Sequence, residues 1–181
     1  MSPVPGGIGG GRAAQSGRGL EGVVRSYLEE MHDFKTVKFA AYERIKLRAD
    51  RPPRLLVKNV PYTTIYGTEG KTEFLVDCLN PNGTRQFPFT GSPLLCRIEC
   101  KRQQSAGSVD EKYPYLYLSC VESMTETNII LLCEISGARA EARQWLINAI
   151  ANRPYASPAG KAKLIHLMQI SDFMTWADNE F

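Results

Sequence analysis

Long apolar segments are missing from this chain of 181 residues. No run approaches the roughly 18 apolar residues that a membrane-spanning helix requires, and the N-terminus lacks the apolar core of a signal peptide. We therefore predict a protein that neither crosses a membrane nor is exported, and that works in the cytoplasm.

Cysteine and histidine motifs are scarce as well. The cysteines are odd in number, include no CxxC pair and lie in apolar runs. They are Cys78, Cys96, Cys100, Cys120 and Cys133. Because the chain has only two histidines, His32 and His166, this pattern excludes a zinc site and gives no support to a Ser–His or Cys–His nucleophile. We predict that the cysteines are buried and reduced.

Net charge is low, at +3, but it is unevenly distributed. Residues 35–58 contain eight basic and two acidic side chains. The basic ones are Lys35, Lys38, Arg44, Lys46, Arg48, Arg51, Arg54 and Lys58. A local basic segment in a nearly neutral protein is typical of a phosphate-binding surface, although an ordinary solvated surface has the same composition.

The periodicity of the chain predicts one α/β domain over 19–181, a central mixed β-sheet flanked by helices, after a disordered Gly/Pro-rich tail at 1–18. Helices are predicted over 19–32, 108–123 and 138–152, and after an N-cap at Ser171. Strands are predicted within 54–60, 63–66, 72–79, 85–89, 93–103, 128–135 and 161–170. Residues 36–50 fit either element, and we expect Trp145 and Trp176 to be core anchors.

The segment RIECKRQ carries the most informative pattern. Side chains alternate between the faces of a strand, so Glu99, Lys101 and Gln103 project from one face while Ile98 and Cys100 project from the other. A carboxylate and an ammonium group on a central strand are costly unless they are paired or bind a ligand.

A second carboxylate, Asp77, lies in the preceding apolar run TEFLVDCL. If that strand pairs with the segment of Glu99, the two carboxylates approach each other and repel unless a cation lies between them. Hard oxygen ligands of this kind suit Mg²⁺ or Mn²⁺, and Lys101 would lie beside them.

An Asp on one strand followed by Glu-x-Lys on the next resembles the PD-(D/E)xK nuclease superfamily, with Val76 where the usual pattern has Pro. GRGLEGVVRSYL resembles the first helix of that superfamily and places Glu21 where a metal-facing Glu often lies. QQSAGSVDEKYPY, IILLCEISGARAEARQWL and HLMQISDFMTWAD resemble its later elements, in order, so the resemblance spans about 19–180.

This resemblance implies a restriction-endonuclease-like fold and Mg²⁺-dependent hydrolysis of DNA to products with 5′-phosphates, with Mn²⁺ as a substitute. Asp77, Glu99, the carbonyl of Cys100 and Glu21 would serve the metal site. Lys101 would position the attacking water, with Gln103 as an auxiliary. The implied setting is the cytoplasm of a bacterium or a phage-infected cell, and the implied assembly is a homodimer or homotetramer.

The resemblance leaves several candidates open for the DNA contacts and for the biological role. Candidate DNA-binding residues are Lys35, Lys38, Arg44, Lys46, Arg48, Arg102, Ser105, Ser108 and Lys112. The tyrosines of YPYLY (Tyr113, Tyr115 and Tyr117) fit either core packing or base stacking. Restriction or homing, junction resolution, and phage recombination or degradation all fit the pattern. A catalytically silent DNA-binding or assembly module is the alternative function, and an unrelated α/β protein with a coincidental Glu-x-Lys is the third interpretation.

Overall fold

The computed structural model describes residues 19–82, 93–102, 112–134 and 139–181. Its helices are α1 (Leu20–His32), α2 (Phe39–Ile45), α3 (Tyr113–Leu118), α4 (Ala140–Asn152), α5 (Pro158–Lys161) and α6 (Ile170–Glu180), and Ser119–Ser123 continues α3 as a π-helical segment. Its strands are β1 (Lys35–Lys38), β2 (Arg54–Thr63), β3 (Glu69–Cys78), β4 (Leu94–Arg102), β5 (Asn128–Glu134) and β6 (Leu164–Met168).

The described strands form one mixed sheet in the order β1-β2-β3-β4-β5-β6. The pairs β2–β3 and β3–β4 are antiparallel, and the pairs β1–β2, β4–β5 and β5–β6 are parallel. The predicted class, a central mixed sheet flanked by helices, is therefore confirmed. The Glu-x-Lys strand β4 lies inside the sheet, between β3 and β5.

Three apolar clusters hold helices against the two faces of the sheet. On one face, α1 and α6 pack over β3, β4 and β5, with Trp176 fully buried. On the other face, α3, the π-helical segment and α4 cover β5 and β6, while α2 covers β2 and β3. Ile98 and Cys100 project toward α1. Glu99 and Lys101 therefore project from the opposite face of the sheet, as the sequence predicted.

Several predicted elements differ in detail. The undecided segment 36–50 contains both β1 and α2, and residues 64–68 form the turn between β2 and β3 rather than a strand. The last helix begins one residue before Ser171, because Gln169 and Asp172 form a capping box. Trp145 packs edge-on against Tyr117 but is 38% exposed, so it borders the core.

Other predictions fall outside the described residues or are confirmed. The 1–18 tail and the 85–89 strand lie outside them. All five cysteines are free and buried, as expected for reduced core side chains. Within the described part of the chain, no helix is long and apolar enough to cross a membrane.

Candidate active site

The sheet opens where β3 and β4 separate. Their antiparallel pairing runs from Cys78 opposite Leu94 to Phe74 opposite Ile98. Beyond that point β3 continues beside β2 as far as Glu69, and β4 continues beside β5 as far as Arg102. We call the opening between the two strands the fork. Backbone groups at its mouth have lost their usual strand partner, so side chains must satisfy them.

Glu73 fills this role at the start of the fork. Its Oε2 accepts a hydrogen bond of 2.8 Å from the backbone N–H of Cys100. Opposite Glu73 on β2, Asn59 has a left-handed backbone with φ of 54°. Such a conformation interrupts the regular alternation of a strand. The carboxylate of Glu73 is thus held between β3 and β4, next to the Glu-x-Lys motif.

Glu99 and Lys101 face Glu73 from the other strand of the fork. The ammonium group of Lys101 forms an ion pair with Glu99 Oε1 and lies 3.9 Å from Glu73 Oε1. Glu99 is 4% exposed. Among the donors that the structure describes, none reaches its buried Oε2. The ammonium group of Lys101 thus faces the carboxylates of Glu73 and Glu99. Oε2 of Glu99 accepts no hydrogen bond from a described donor.

The electrostatics reflect this excess of negative charge. Burial, and then the charge of Glu73, raise the pKa of Glu99 to about 7 against the opposing effect of Lys101. Burial lowers the pKa of Lys101, but the charges of Glu99 and Glu73 outweigh it and raise that pKa. A divalent cation beside the two carboxylates would relieve their repulsion and use the free oxygen.

A cleft of about 470 Å³ leads to Glu73 from the side of α1. Its lining includes the carboxylates of Glu21 and Glu73 and the cations Arg25 and Lys58. Glu21 is exposed at the first turn of α1, and its charge acts on Cys100 along with those of Glu73 and Glu99. Glu21 and Glu73 therefore line the same cleft.

Asp77 lies elsewhere, and the predicted approach of Asp77 to Glu99 is not found. The register places Asp77 opposite Leu95, four residues from Glu99 along β4, a separation of roughly 13 Å at the usual rise per residue. Arg51 donates two hydrogen bonds to Asp77, and Tyr42 donates a third. This carboxylate is satisfied inside the protein, under α2.

Tyr62 forms a wall of the fork on the β2 side. Its ring lies over its cross-strand partner Gly70, where an added Cβ would come within 2.7 Å of the ring. The Arg97 guanidinium lies 5.8 Å from the ring centroid and is bound to Glu126, to Thr72 and to the carbonyl of Val60. This buried network ties β4 to β2 and β3 directly below the fork.

Sequence reasoning overlooked Glu73 and Tyr62. Glu73 lies in the same run as Asp77, and only the register of β3 against β4 distinguishes them, since Phe74 opposite Ile98 places Glu73 nearest Glu99. The residues that connect the two strands do not reveal that register. Neither Tyr62 nor its cross-strand partner Gly70 lay in a predicted strand, so no sequence signal marked Tyr62.

The basic segment is only partly available to a ligand. Arg51 is committed to Asp77, and Arg54 donates to the carbonyls of His32 and Phe181. Among the predicted DNA contacts, Lys46 pairs with Glu43 and Arg48 with Asp50, while Lys35, Lys38 and Arg44 are exposed on β1 and α2. Because β1 is three strands from β4, it lies roughly 14 Å from the strand that carries Glu99 and Lys101.

The remaining predicted site residues lie from the end of β4 to α3, where the structure describes only some of them. Lys112 is exposed just before α3. Gln103, Ser105, Ser108 and the side chain of Arg102 lie outside the described residues. In the ranges that are described, no group of three or more His, Cys, Asp or Glu side chains is arranged to hold a metal ion. The pair of Glu73 and Glu99 supplies two carboxylates of such a set.

The comparisons with known proteins agree with this architecture. Searches of curated proteins and of solved structures gave no match. A family model described as the PD-(D/E)XK nuclease superfamily domain matches residues 12–181, which is nearly the whole chain. The mixed sheet with flanking helices is consistent with that fold. The chain therefore belongs to the PD-(D/E)XK nuclease superfamily.

Proposed function

We propose that the protein is a metal-dependent DNA endonuclease that uses Mg²⁺, with Mn²⁺ as a substitute, and that Glu73, Glu99 and Lys101 form its active site. The observation that carries this proposal is the buried Oε2 of Glu99, which accepts no hydrogen bond from a described donor while a second carboxylate and an ammonium group lie beside it. A buried charge in that state is costly for a purely structural residue.

Glu73 and Glu99 would hold the metal, with the carbonyl of Cys100 as a further ligand and Glu21 at the rim of the cleft. When bound, the metal would stabilise the negative charge that develops during hydrolysis of the phosphodiester. Asp77 has no part in this set, because Arg51 and Tyr42 already satisfy its carboxylate.

Lys101 has two roles in this proposal. Its ammonium group is anchored by Glu99 and Glu73, so it is held at the fork with one face toward solvent, at 40% side-chain exposure. From there it would donate a hydrogen bond to the attacking water or to a phosphate oxygen and fix its position. The raised pKa keeps Lys101 charged at neutral pH, which suits orientation and charge stabilisation.

The positive surface is the second component of the proposal. Arg25 and Lys58 border the cleft beside Glu73, where they would meet the phosphates next to the scissile bond. Lys35, Lys38, Arg44, Lys46, Arg48, Arg102, Ser105, Ser108 and Lys112 are the proposed contacts farther along the DNA. The proposed assembly is a homodimer or homotetramer, because a single site must otherwise act twice to cut both strands.

Cleavage of DNA tests the proposal. Supercoiled plasmid, linear duplex, a four-way junction and single-stranded DNA are incubated with the wild type in Mg²⁺, Mn²⁺ or EDTA. We expect cutting that requires the metal and is reduced about 100-fold or more in Lys101→Met and in Glu73→Gln. Lys161→Met, an exposed lysine on α5, is the matched control and should cut like the wild type.

Two other outcomes would reject parts of the proposal. DNA binding without cleavage of any substrate would indicate the alternative function, a catalytically silent binding or assembly module. Full activity in Glu73→Gln, with loss of activity in Lys101→Met, would keep the nuclease but remove Glu73 from the metal site.

A further inference from the structure

Two tyrosines form a stacked pair beside the fork. The rings of Tyr66 and Tyr115 are nearly parallel, at 9°, with centroids 5.4 Å apart. Tyr66 is nevertheless 74% exposed, so Tyr115 covers one ring face and the other face is open to solvent. We call Tyr66 and Tyr115 the tyrosine platform. Large aromatic rings are usually buried, and an open ring face is the feature that a stacking ligand needs.

The turn between β2 and β3 holds Tyr66 in place. Thr64 Oγ1 accepts hydrogen bonds from the backbone N–H groups of Tyr66 and Thr68 and bonds the hydroxyl of Thr68. Gly67 has a φ of 77°, which permits the tight turn. A ring presented by such a rigid turn loses little conformational entropy when a ligand stacks on it.

The platform connects to the candidate active site through Tyr62. Tyr62 interacts with both Tyr115 and Glu99, and Gly70 and Arg97 fix its ring as described above. Tyr62 is thus near both Glu99 and Tyr115, and Tyr115 stacks on Tyr66. The platform therefore lies on the side of the fork that Tyr62 borders.

We propose that the tyrosine platform stacks an unpaired nucleobase of the substrate, so that the enzyme acts on single-stranded or locally unpaired DNA. This proposal rests on the proposed nuclease function. A paired base is stacked on its neighbours within the duplex and cannot cover Tyr66, whereas every unpaired base offers a π-face to an aromatic side chain. Among the substrate classes that the sequence left open, the platform favours strand ends, flaps and junction arms that have lost their pairing.

The test measures binding separately from cleavage. The full-length protein in EDTA is titrated into a fluorescein-labelled oligothymidylate and into a duplex of the same length, and the anisotropy is recorded. We expect Tyr66→Ala to weaken single-strand binding by about 5-fold or more and to change duplex binding by less than that. Tyr66→Phe keeps the ring and should bind like the wild type.

Tyr155→Ala is the matched control, because Tyr155 is 86% exposed and lies on the loop after α4. It should leave both affinities unchanged. Equal affinity of Tyr66→Ala and wild type for the single strand overturns the platform, and so does equal weakening for single strand and duplex, or no single-strand binding by the wild type. A platform effect in a protein that cuts nothing would reject the nuclease proposal alone, since binding is measured without metal.

Discussion

Replacing Asp77 with asparagine separates a structural carboxylate from a catalytic one. The substitution keeps the shape of the side chain and removes its charge. In the structure, Arg51 donates hydrogen bonds of 2.6 Å and 2.9 Å to the two oxygens of Asp77, and Tyr42 donates one of 3.0 Å. The side chains of Arg51 and Asp77 are 5% and 3% exposed. Asp77→Asn therefore leaves a buried guanidinium without its counter-charge.

The magnitude follows from that burial. Removing one partner of a buried ion pair costs about 3–5 kcal/mol, because the remaining charge stays desolvated. For a domain of this size, 1 kcal/mol corresponds to roughly 2–4 °C in the melting temperature. We expect Asp77→Asn to lower the melting temperature by roughly 10 °C, and to retain metal-dependent cleavage within a few-fold at temperatures where it is folded.

The assay is thermal unfolding in EDTA, followed by cleavage in Mg²⁺ well below the transition. Asp50→Asn is the matched control, because Asp50 pairs with Arg48 on the surface with side chains 69% and 60% exposed, and it should unfold like the wild type. The reasoning is refuted if Asp77→Asn abolishes cleavage and leaves the melting temperature unchanged. Asp77 would then belong to the metal site, as the sequence first predicted.

Three further outcomes are expected. Gly70→Ala should destabilise the protein by about 1–3 kcal/mol, because its Cβ would come within 2.7 Å of the Tyr62 ring; an unchanged midpoint in urea would contradict that close contact. In EDTA, the raised pKa of Glu99, about 7, means that the folded state binds its proton more tightly than the unfolded state. The contribution of Glu99 to stability should therefore fall as the pH rises from about 4.5 to about 7, so denaturation curves should show the wild type losing stability relative to Glu99→Gln across that range. Lys163→Met removes the donor to the carbonyl of Cys120 in the π-helical segment and should cost about 1–3 kcal/mol in urea unfolding; equal stability of the variant would show that solvent replaces the lysine.

Local patterns were enough to predict which side chains of the Glu-x-Lys strand share a face of the sheet. Alternation alone separates Glu99 and Lys101 from Ile98 and Cys100, and the structure places them on opposite faces. The extent of α1 was equally predictable, because its apolar residues recur at helical spacing. These features depend on neighbours in sequence, which the sequence displays directly.

The partner of Glu99 could not be predicted in this way. Choosing between Glu73 and Asp77 requires the register of β3 against β4, which depends on the length of the connection and on packing across the sheet. The partner of Asp77 is Arg51, which lies 26 residues earlier in the chain. Nothing local marks that arginine as an internal partner among the other basic residues of 35–58. Long-range charge pairing thus decided which acidic residue was left for the site.

The fork also marks a seam in the sheet, with a block of β1, β2 and β3 on one side and a block of β4, β5 and β6 on the other. The pairing of β3 with β4 stops at Phe74 and Ile98, although β3 continues beside β2 and β4 continues beside β5. A seam of that kind is where native-state hydrogen exchange would find a boundary between cooperative units. The amide of Cys100 hydrogen-bonds a carboxylate oxygen of Glu73 instead of a strand carbonyl. Its exchange rate therefore reports the opening of the seam in addition to any unfolding of the two blocks.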